Sequence, residues 1–202
     1  MRVVLIRHLA PLIAPGVCYG RLDIPATALT AAGLEAIWRE VGDVRTPLLV
    51  TSPARRCLAL AVALGDALGA VPQHDDRLLE LDFGDWEGRR WADLDRSALD
   101  LWAREPGAFV PPGGEPVAAL VTRVASLVAD LRALGSDAVL VSHGGPLRVL
   151  EPMLRGEAVD LLKPAPAFGK VIAIDVQPEK MAATVSAPHS ASCSAAPSTS
   201  PV

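Results

Sequence analysis

Short runs of aliphatic residues alternate along the chain with longer segments of helical hydrophobic period. The runs RVVLIR (2–7), PLLVTS (47–52), DAVLVSH (137–143) and KVIAIDV (170–176) are largely apolar on both faces, as buried strands of parallel sheets are. A proline-containing turn after the last run favours a further, weaker strand in MAATVSA (181–187).

The segments between these strands have the pattern of amphipathic helices. In the segment 29–44, Leu34, Ile37, Trp38 and Val41 repeat at helical spacing, and Thr30 is placed to cap the helix. Strands that alternate with helices predict a three-layer α/β/α sandwich with a mostly parallel central sheet. Further helices are predicted at 53–68, about 91–103, 115–134 and 145–155, with a loop-rich segment at 71–91.

The chain of 202 residues is long enough for one domain with a sizeable core. We assign residues 1–185 to this domain. The segment 186–202, SAPHSASCSAAPSTSPV, is rich in Ser, Ala and Pro. It contains too little bulky apolar surface to offset the entropy lost on ordering, so we expect a disordered tail.

Composition and charge exclude several functional classes. Hydrophobic residues make up 50% of the chain and the formal net charge is -4, which argues against a nucleic-acid-binding surface. Cys18, Cys57 and Cys193 are odd in number and lack metal-ligand spacing, which favours a reducing compartment. The first apolar run is too short for a signal peptide, and no run spans a bilayer. We therefore expect a soluble, cytoplasmic protein without a bound metal or cofactor; its oligomeric state is left open.

Polar side chains follow three of the predicted strands directly. The first strand ends in Arg7 and His8, the second leads into SPARRC with Arg56, and the third ends at His143 before two glycines. Because the carboxyl ends of parallel strands meet at one edge of a sheet, these side chains are expected to converge in one crevice. Guanidinium groups match phosphate oxygens, and a neutral imidazole is a nucleophile near neutral pH.

Phosphoryl transfer from an ester also requires an acid that protonates the leaving oxygen. The segment LLELDFGDWEG offers Glu80, Asp82, Asp85 and Glu87. Taken together, RH, SPARRC, LLELDFGDWEG and SHGG occur in the order found in the histidine phosphatase superfamily, whose fold is phosphoglycerate-mutase-like. The chain resembles this superfamily over roughly residues 1–176, and four motifs in order are a specific signal.

The resemblance implies a role for each matching residue. His8 would be the nucleophile that becomes phosphohistidine, and Arg7, Arg56 and His143 would bind the phosphoryl oxygens. Glu80 would protonate the leaving oxygen and then deprotonate water, with Asp82 as the second choice. Since adjacent residues on a helix point about 100° apart, Arg55 and Arg56 should not both face the crevice.

Within the superfamily, PLIAPGVCYGRLDIPA (11–26) is most similar to the α-ribazole phosphatase branch, which removes a 5′-phosphate in assembly of the lower ligand of cobalamin. The resemblance favours α-ribazole 5′-phosphate or a related nucleoside-like phosphomonoester as the substrate. Tyr19 and Arg21 are candidates for the substrate pocket. Glu115 either starts a helix or reaches the site.

Two departures from the superfamily pattern concern the substrate more than the reaction. Leu9 stands where glycine usually follows Arg-His, and Pro116 stands where serine usually follows Pro-Gly-Gly-Glu. Three other functions stay open: a phosphoglycerate mutase, a phosphatase acting on phosphohistidine in proteins, and a non-catalytic phosphate-binding module. We expect no role in the site for His74 and His189, and interpret Trp86 and Trp91 as packing residues.

Overall fold

A computed structural model describes residues 1–44 and 47–177, in which five strands form one sheet. The strands are β1 (Arg2–Arg7), β2 (Leu48–Thr51), β3 (Gln73–His74), β4 (Ala138–Ser142) and β5 (Val171–Asp175). The predicted sheet is confirmed: β4 pairs in parallel with β1 and β2, β2 pairs in parallel with β3, and only β5 is antiparallel, next to β1. The spatial order is β3-β2-β4-β1-β5.

Helices cover both faces of the sheet, which confirms the three-layer sandwich. The helices are α1 (Ala31–Val41), α2 (Arg55–Leu68), α3 (Arg96–Arg104), α4 (Val117–Leu134) and α5 (Gly144–Arg155). Val4 and Ile6 of β1 pack in the cluster of apolar side chains that includes α1 and α2, whereas Val3 and Leu5 pack in the cluster that includes α4 and α5. Successive side chains of a strand point to opposite faces, so a strand buried on both faces needs an unbroken apolar run.

Local chemistry sets the ends of several helices. The Thr30 hydroxyl accepts a hydrogen bond of 3.1 Å from the amide of Gly33 and caps α1, as predicted. The helix predicted at about 91–103 is divided instead into a 3₁₀ turn, Trp91–Asp93, and α3. The reason is that Asp95 caps α3 through the amide of Ser97, so the helix begins after Asp95 and not at Trp91.

Two other expectations differ from the structure or lie outside it. The strand β3 falls in the segment predicted as loop, because its two residues are polar and exposed and show no apolar run. The weaker strand at 181–187, the domain end at 185 and the tail at 186–202 lie outside the described residues. No helix among the described residues is long and apolar enough to cross a membrane.

The register of the sheet brings three strand ends together. Arg7 of β1 pairs with Ser142 of β4, and Thr51 of β2 pairs with Val141 of β4. The residues that follow therefore continue along one edge of the sheet: the amide of His8 donates to the carbonyl of Ser142 at 3.0 Å. This edge carries the candidate site.

The central strand should be sensitive to lost volume. Leu140 is fully buried in β4, so Leu140→Ala leaves a cavity and should lower the free energy of unfolding by about 2–5 kcal/mol. Leu134→Ala, at an exposed position of α4, is the control and should change it by less than about 0.5 kcal/mol. Urea denaturation followed by circular dichroism measures both values, and equal losses would contradict the prediction.

Candidate active site

His8 lies at the end of β1 with its imidazole held in one tautomer. Its Nδ1 is 2.6 Å from the carbonyl oxygen of Leu9, which only accepts, so Nδ1–H donates and Nε2 carries the lone pair. Burial is the largest effect on His8 and lowers its pKa to about 3. The hydrogen bond to Leu9 raises the pKa, and the charges of Arg56 and Arg7 lower it. The ring is therefore neutral at neutral pH.

The Arg7 side chain lies beside His8 and is fixed by a segment without a recognisable motif. Its Nη1 donates to the carbonyl of Pro166 at 2.5 Å, and its guanidinium carbon lies 4.0 Å from the ring centre of Phe168. The Phe168 ring is also 5.5 Å from the ring of His8. Sequence reasoning missed Phe168, since nothing in its neighbourhood distinguishes it from an ordinary loop residue.

Arg56 is 1% exposed and bonds through all three of its nitrogens. Nη2 donates to the carbonyl of Gly20 at 2.6 Å, Nη1 to that of Leu22 at 2.8 Å, and Nε to Nδ1 of His143 at 3.1 Å. A Cβ at position 20 would clash with the carbonyl of Leu81, so glycine is needed where the Gly20 backbone approaches the Leu81 segment. The neighbouring Arg55 is exposed, so of the two arginines only Arg56 faces the site.

His143 is buried between Arg56 and Ser52. Because Arg56 donates to Nδ1, the proton of the neutral ring is on Nε2, which donates to the Ser52 hydroxyl at 2.7 Å. Burial, with the charge of Arg56 next, holds the pKa of His143 well below its usual value. The ring centres of His143 and His8 are 5.1 Å apart. Burial also raises the pKa of the nearby Cys57 thiol to about 12.

Glu80 and Asp82 have different surroundings. Both carboxylate oxygens of Glu80 accept from the amide of Gly145, at 3.1 and 3.2 Å, at the positive N-terminus of α5. The Asp82 carboxylate accepts from the amide of Gly84 at 2.8 Å and closes a turn. Glu80 lines the cavity described next, and Asp82 is absent from its lining.

A cavity of about 260 Å³ opens beside these residues. The lining includes the charged residues Arg7, Glu80 and Arg148 and four aromatic residues, Tyr19, Phe83, Trp91 and Trp102. His8, Arg56 and His143 are not among the lining residues, and each is at most 1% exposed.

The aromatic residues both pack and line the cavity. Trp86 is buried in the core, 5.3 Å between ring centres from Phe109, in agreement with a packing role. Trp91 lies against Phe83 at 5.4 Å and also faces the cavity. Arg148, which the sequence motifs did not single out, faces the same cavity and donates to the carbonyl of Leu161.

Arg21, expected in the pocket, and Glu115, expected either there or at the start of a helix, do not line the cavity. They form an ion pair of 3.4 Å on the outer side of the Glu80 segment. Pro116 caps α4 without a side-chain hydrogen bond, which is the consequence of proline in place of serine. His74 is exposed in β3, and His189 lies outside the described residues. Among the described residues, no three His, Cys, Asp or Glu side chains form a group suited to a metal ion.

The model of the histidine phosphatase superfamily (branch 1) matches residues 3–181. The chain belongs to this superfamily. This membership, together with relatives that are named as phosphatases, shows that it is a phosphatase.

Named relatives of this histidine phosphatase are phosphatases as well. A glucosyl-3-phosphoglycerate phosphatase of Mycolicibacterium vanbaalenii is 40% identical over 133 residues, 60% of this chain and 59% of the relative. Phosphoserine phosphatase 1 of Hydrogenobacter thermophilus is 26% identical over 169 residues, 81% of this chain and 79% of the relative.

Two solved structures that are similar to this chain are also described as phosphatases. A mycobacterial glucosyl-3-phosphoglycerate phosphatase superposes with a TM-score of 0.73 at 30% identity, covering 85% of this chain and 88% of the other. A protein of Escherichia coli K-12 described as a candidate α-ribazole-5′-P phosphatase gives a TM-score of 0.77 at 26% identity, with 88% and 91% covered.

The neutral state of His8 should be visible in the pH dependence of stability. The folded-state pKa of about 3 lies below the unfolded value of 6.5, so the unfolded chain binds the proton first as pH falls. His8 should therefore destabilise the folded state by up to about 1.4 kcal/mol per pH unit as pH falls from about 6.5 towards 3. Chemical denaturation at pH 7, 6, 5 and 4 should show a shallower dependence for His8→Gln; equal slopes would contradict the assigned neutrality.

Proposed function

We propose that this histidine phosphatase hydrolyses a small phosphomonoester through a phosphohistidine at His8. The observation that carries the proposal is the state of His8: a neutral, buried imidazole whose Nδ1–H is held by the Leu9 carbonyl, beside the guanidinium of Arg7. Such a ring offers the Nε2 lone pair to phosphorus without first losing a proton.

In the first half of the proposed cycle, Nε2 of His8 attacks phosphorus in line with the ester oxygen. The N–P bond forms and the P–O ester bond breaks, while Glu80 in its acid form gives its proton to the leaving oxygen. Arg7, Arg56 and His143 receive the phosphoryl oxygens. This step requires Arg56 and His143 to exchange their present protein partners for the phosphate.

In the second half, water attacks the phosphohistidine. Glu80, now a carboxylate, takes a proton from the water as the O–P bond forms and the P–N bond breaks, which releases inorganic phosphate. His8 returns to its neutral form and Glu80 to its acid form, so the cycle is balanced. The cycle needs no metal ion, because the arginines supply the positive charge.

For the substrate, we propose α-ribazole 5′-phosphate or a related nucleoside-like phosphate of cobalamin assembly. Support comes from the similarity of the segment 11–26 to the α-ribazole phosphatase branch, and from Tyr19 and three further aromatic residues in the cavity lining. The structural neighbour described as a candidate α-ribazole-5′-P phosphatase adds to this support. An aromatic wall suits a planar ring on the leaving group. Arg21 adds no support, since it faces away from the cavity lining.

The covalent intermediate is the direct test of the proposed chemistry. Brief incubation with a ³²P-labelled phosphoester, followed by a quench without acid, should leave label on His8, because phosphohistidine is acid-labile. His8→Ala should lose both label and turnover, with folding checked by circular dichroism. Label on Ser52 or Cys57 would overturn the assignment of the nucleophile.

A second test separates the proposed substrate from other phosphoesters. We expect a higher kcat/KM for α-ribazole 5′-phosphate than for 3-phosphoglycerate or phosphoserine. Tyr19→Ala should raise KM for the ring-bearing substrate by about 5- to 150-fold, corresponding to about 1–3 kcal/mol of stacking. It should leave p-nitrophenyl phosphate nearly unchanged.

The same assay decides between hydrolysis and transfer. It is run with and without 2,3-bisphosphoglycerate, and inorganic phosphate and 2-phosphoglycerate are both measured. Interconversion of 3- and 2-phosphoglycerate at a rate rivalling hydrolysis would contradict the phosphatase proposal and favour the mutase.

A further inference from the structure

The backbone carbonyl of Glu80 is the meeting point of two arginines that come from different parts of the chain. Nε of Arg21, in the loop after β1, donates to it at 3.0 Å, and Nη2 of Arg123, on α4, donates to it at 3.2 Å. Neither guanidinium lines the cavity. Both arginines therefore contact the backbone of Glu80, a residue that lines the cavity.

Glu115 links the two arginines. Its Oε1 and Oε2 accept from Nε and Nη2 of Arg123 at 2.7 and 3.0 Å, a two-pronged ion pair, and Oε2 lies 3.4 Å from Nη2 of Arg21. The Glu115 side chain is only 14% exposed. Burial raises its pKa, but the hydrogen bond and charge of Arg123 and the charge of Arg21 hold the pKa below its usual value.

Further bonds fix this group to the Glu80 segment. Nη1 of Arg123 donates to the carbonyl of Arg77 at 2.6 Å, and the amide of Glu115 donates to the carbonyl of Asp82 at 2.9 Å. Residues 79–83 belong to no helix or strand, so they lack a backbone ladder of their own. Their path depends on these side-chain contacts.

We propose that Glu115 and Arg123 are positioning residues for the proton donor Glu80. Glu115 holds Arg123, which donates to the carbonyl of Glu80, while the amide of Gly145 donates to its carboxylate, so the acid stays in the lining of the cavity. This inference rests on the proposed role of Glu80 as general acid and adds to it the source of its orientation.

The proposal has a kinetic consequence that a purely structural ion pair lacks. General acid catalysis contributes ~10²–10⁴-fold and matters most when the leaving group is a poor one. Glu115→Gln keeps the shape of the side chain but removes its charge. It should slow hydrolysis of phenyl phosphate by about 10- to 100-fold, and that of p-nitrophenyl phosphate by less than about 3-fold.

A double-mutant cycle provides the decisive measurement. Glu115→Gln is made in the wild type and in Glu80→Gln, and kcat is measured for both esters. If Glu115 acts through Glu80, it should have almost no further effect on phenyl phosphate once Glu80 is replaced. Glu151→Gln on α5, which removes a carboxylate that pairs with Arg155 and Lys163 instead, is the control and should change neither rate.

Each other outcome has a defined meaning. Equal losses on both esters, or losses that add to those of Glu80→Gln, would overturn the positioning role. If Glu80→Gln itself shows no dependence on the leaving group, the proposed acid is wrong; if it does and Glu115→Gln does not, only the present inference fails. Should Glu115→Gln not fold, Arg123→Lys, which keeps the charge but loses the two-pronged pair, is measured in the same cycle with the same criteria.

Discussion

A guanidinium group buried away from water is stable only if its N–H groups find acceptors. Arg56 is such a group, and its acceptors come from separate parts of the chain. Its acceptors are the carbonyls of Gly20 and Leu22 and a ring nitrogen of His143. One side chain of α2 thereby joins the loop after β1 to the residue that opens α5. The same bond sets the tautomer of His143, because a guanidinium N–H requires an unprotonated partner.

The two histidines are kept neutral by the surroundings this arrangement creates. His8 is 1% exposed and lies near the charges of Arg7 and Arg56, so protonation would place a further positive charge in a poorly hydrated space. The carboxylate of Glu80 lies at the N-terminus of α5, in the lining of the cavity. The proposed nucleophile is thus buried and neutral, whereas the proposed acid has access to the cavity.

The aromatic cluster connects this chemistry to specificity. Trp91 meets the ring of Phe83 edge-on and Trp102 stacks on the core residue Phe109, so the aromatic part of the cavity lining packs against the core. Under the proposed function, a leaving group in the cavity would contact these rings while Arg7 binds the phosphate. Selectivity among phosphomonoesters would then depend on how well the leaving group fits the aromatic residues.

Much of this protein could be predicted from the order of its residues. Apolar runs such as VVLI in β1 can be buried only in a sheet covered on both faces. Strand-end residues such as His8 and His143 must share an edge when their strands pair in parallel with each other. Tertiary contacts decided the rest. Phe168 contacts Arg7 and His8 from a segment distant in sequence. Arg21 pairs with Glu115 and donates to the Glu80 carbonyl instead of lining the cavity, and Arg123 of α4 donates to the same carbonyl. No local sequence pattern predicts these pairings, because the fold decides which side chains come close enough to pair with a buried charge.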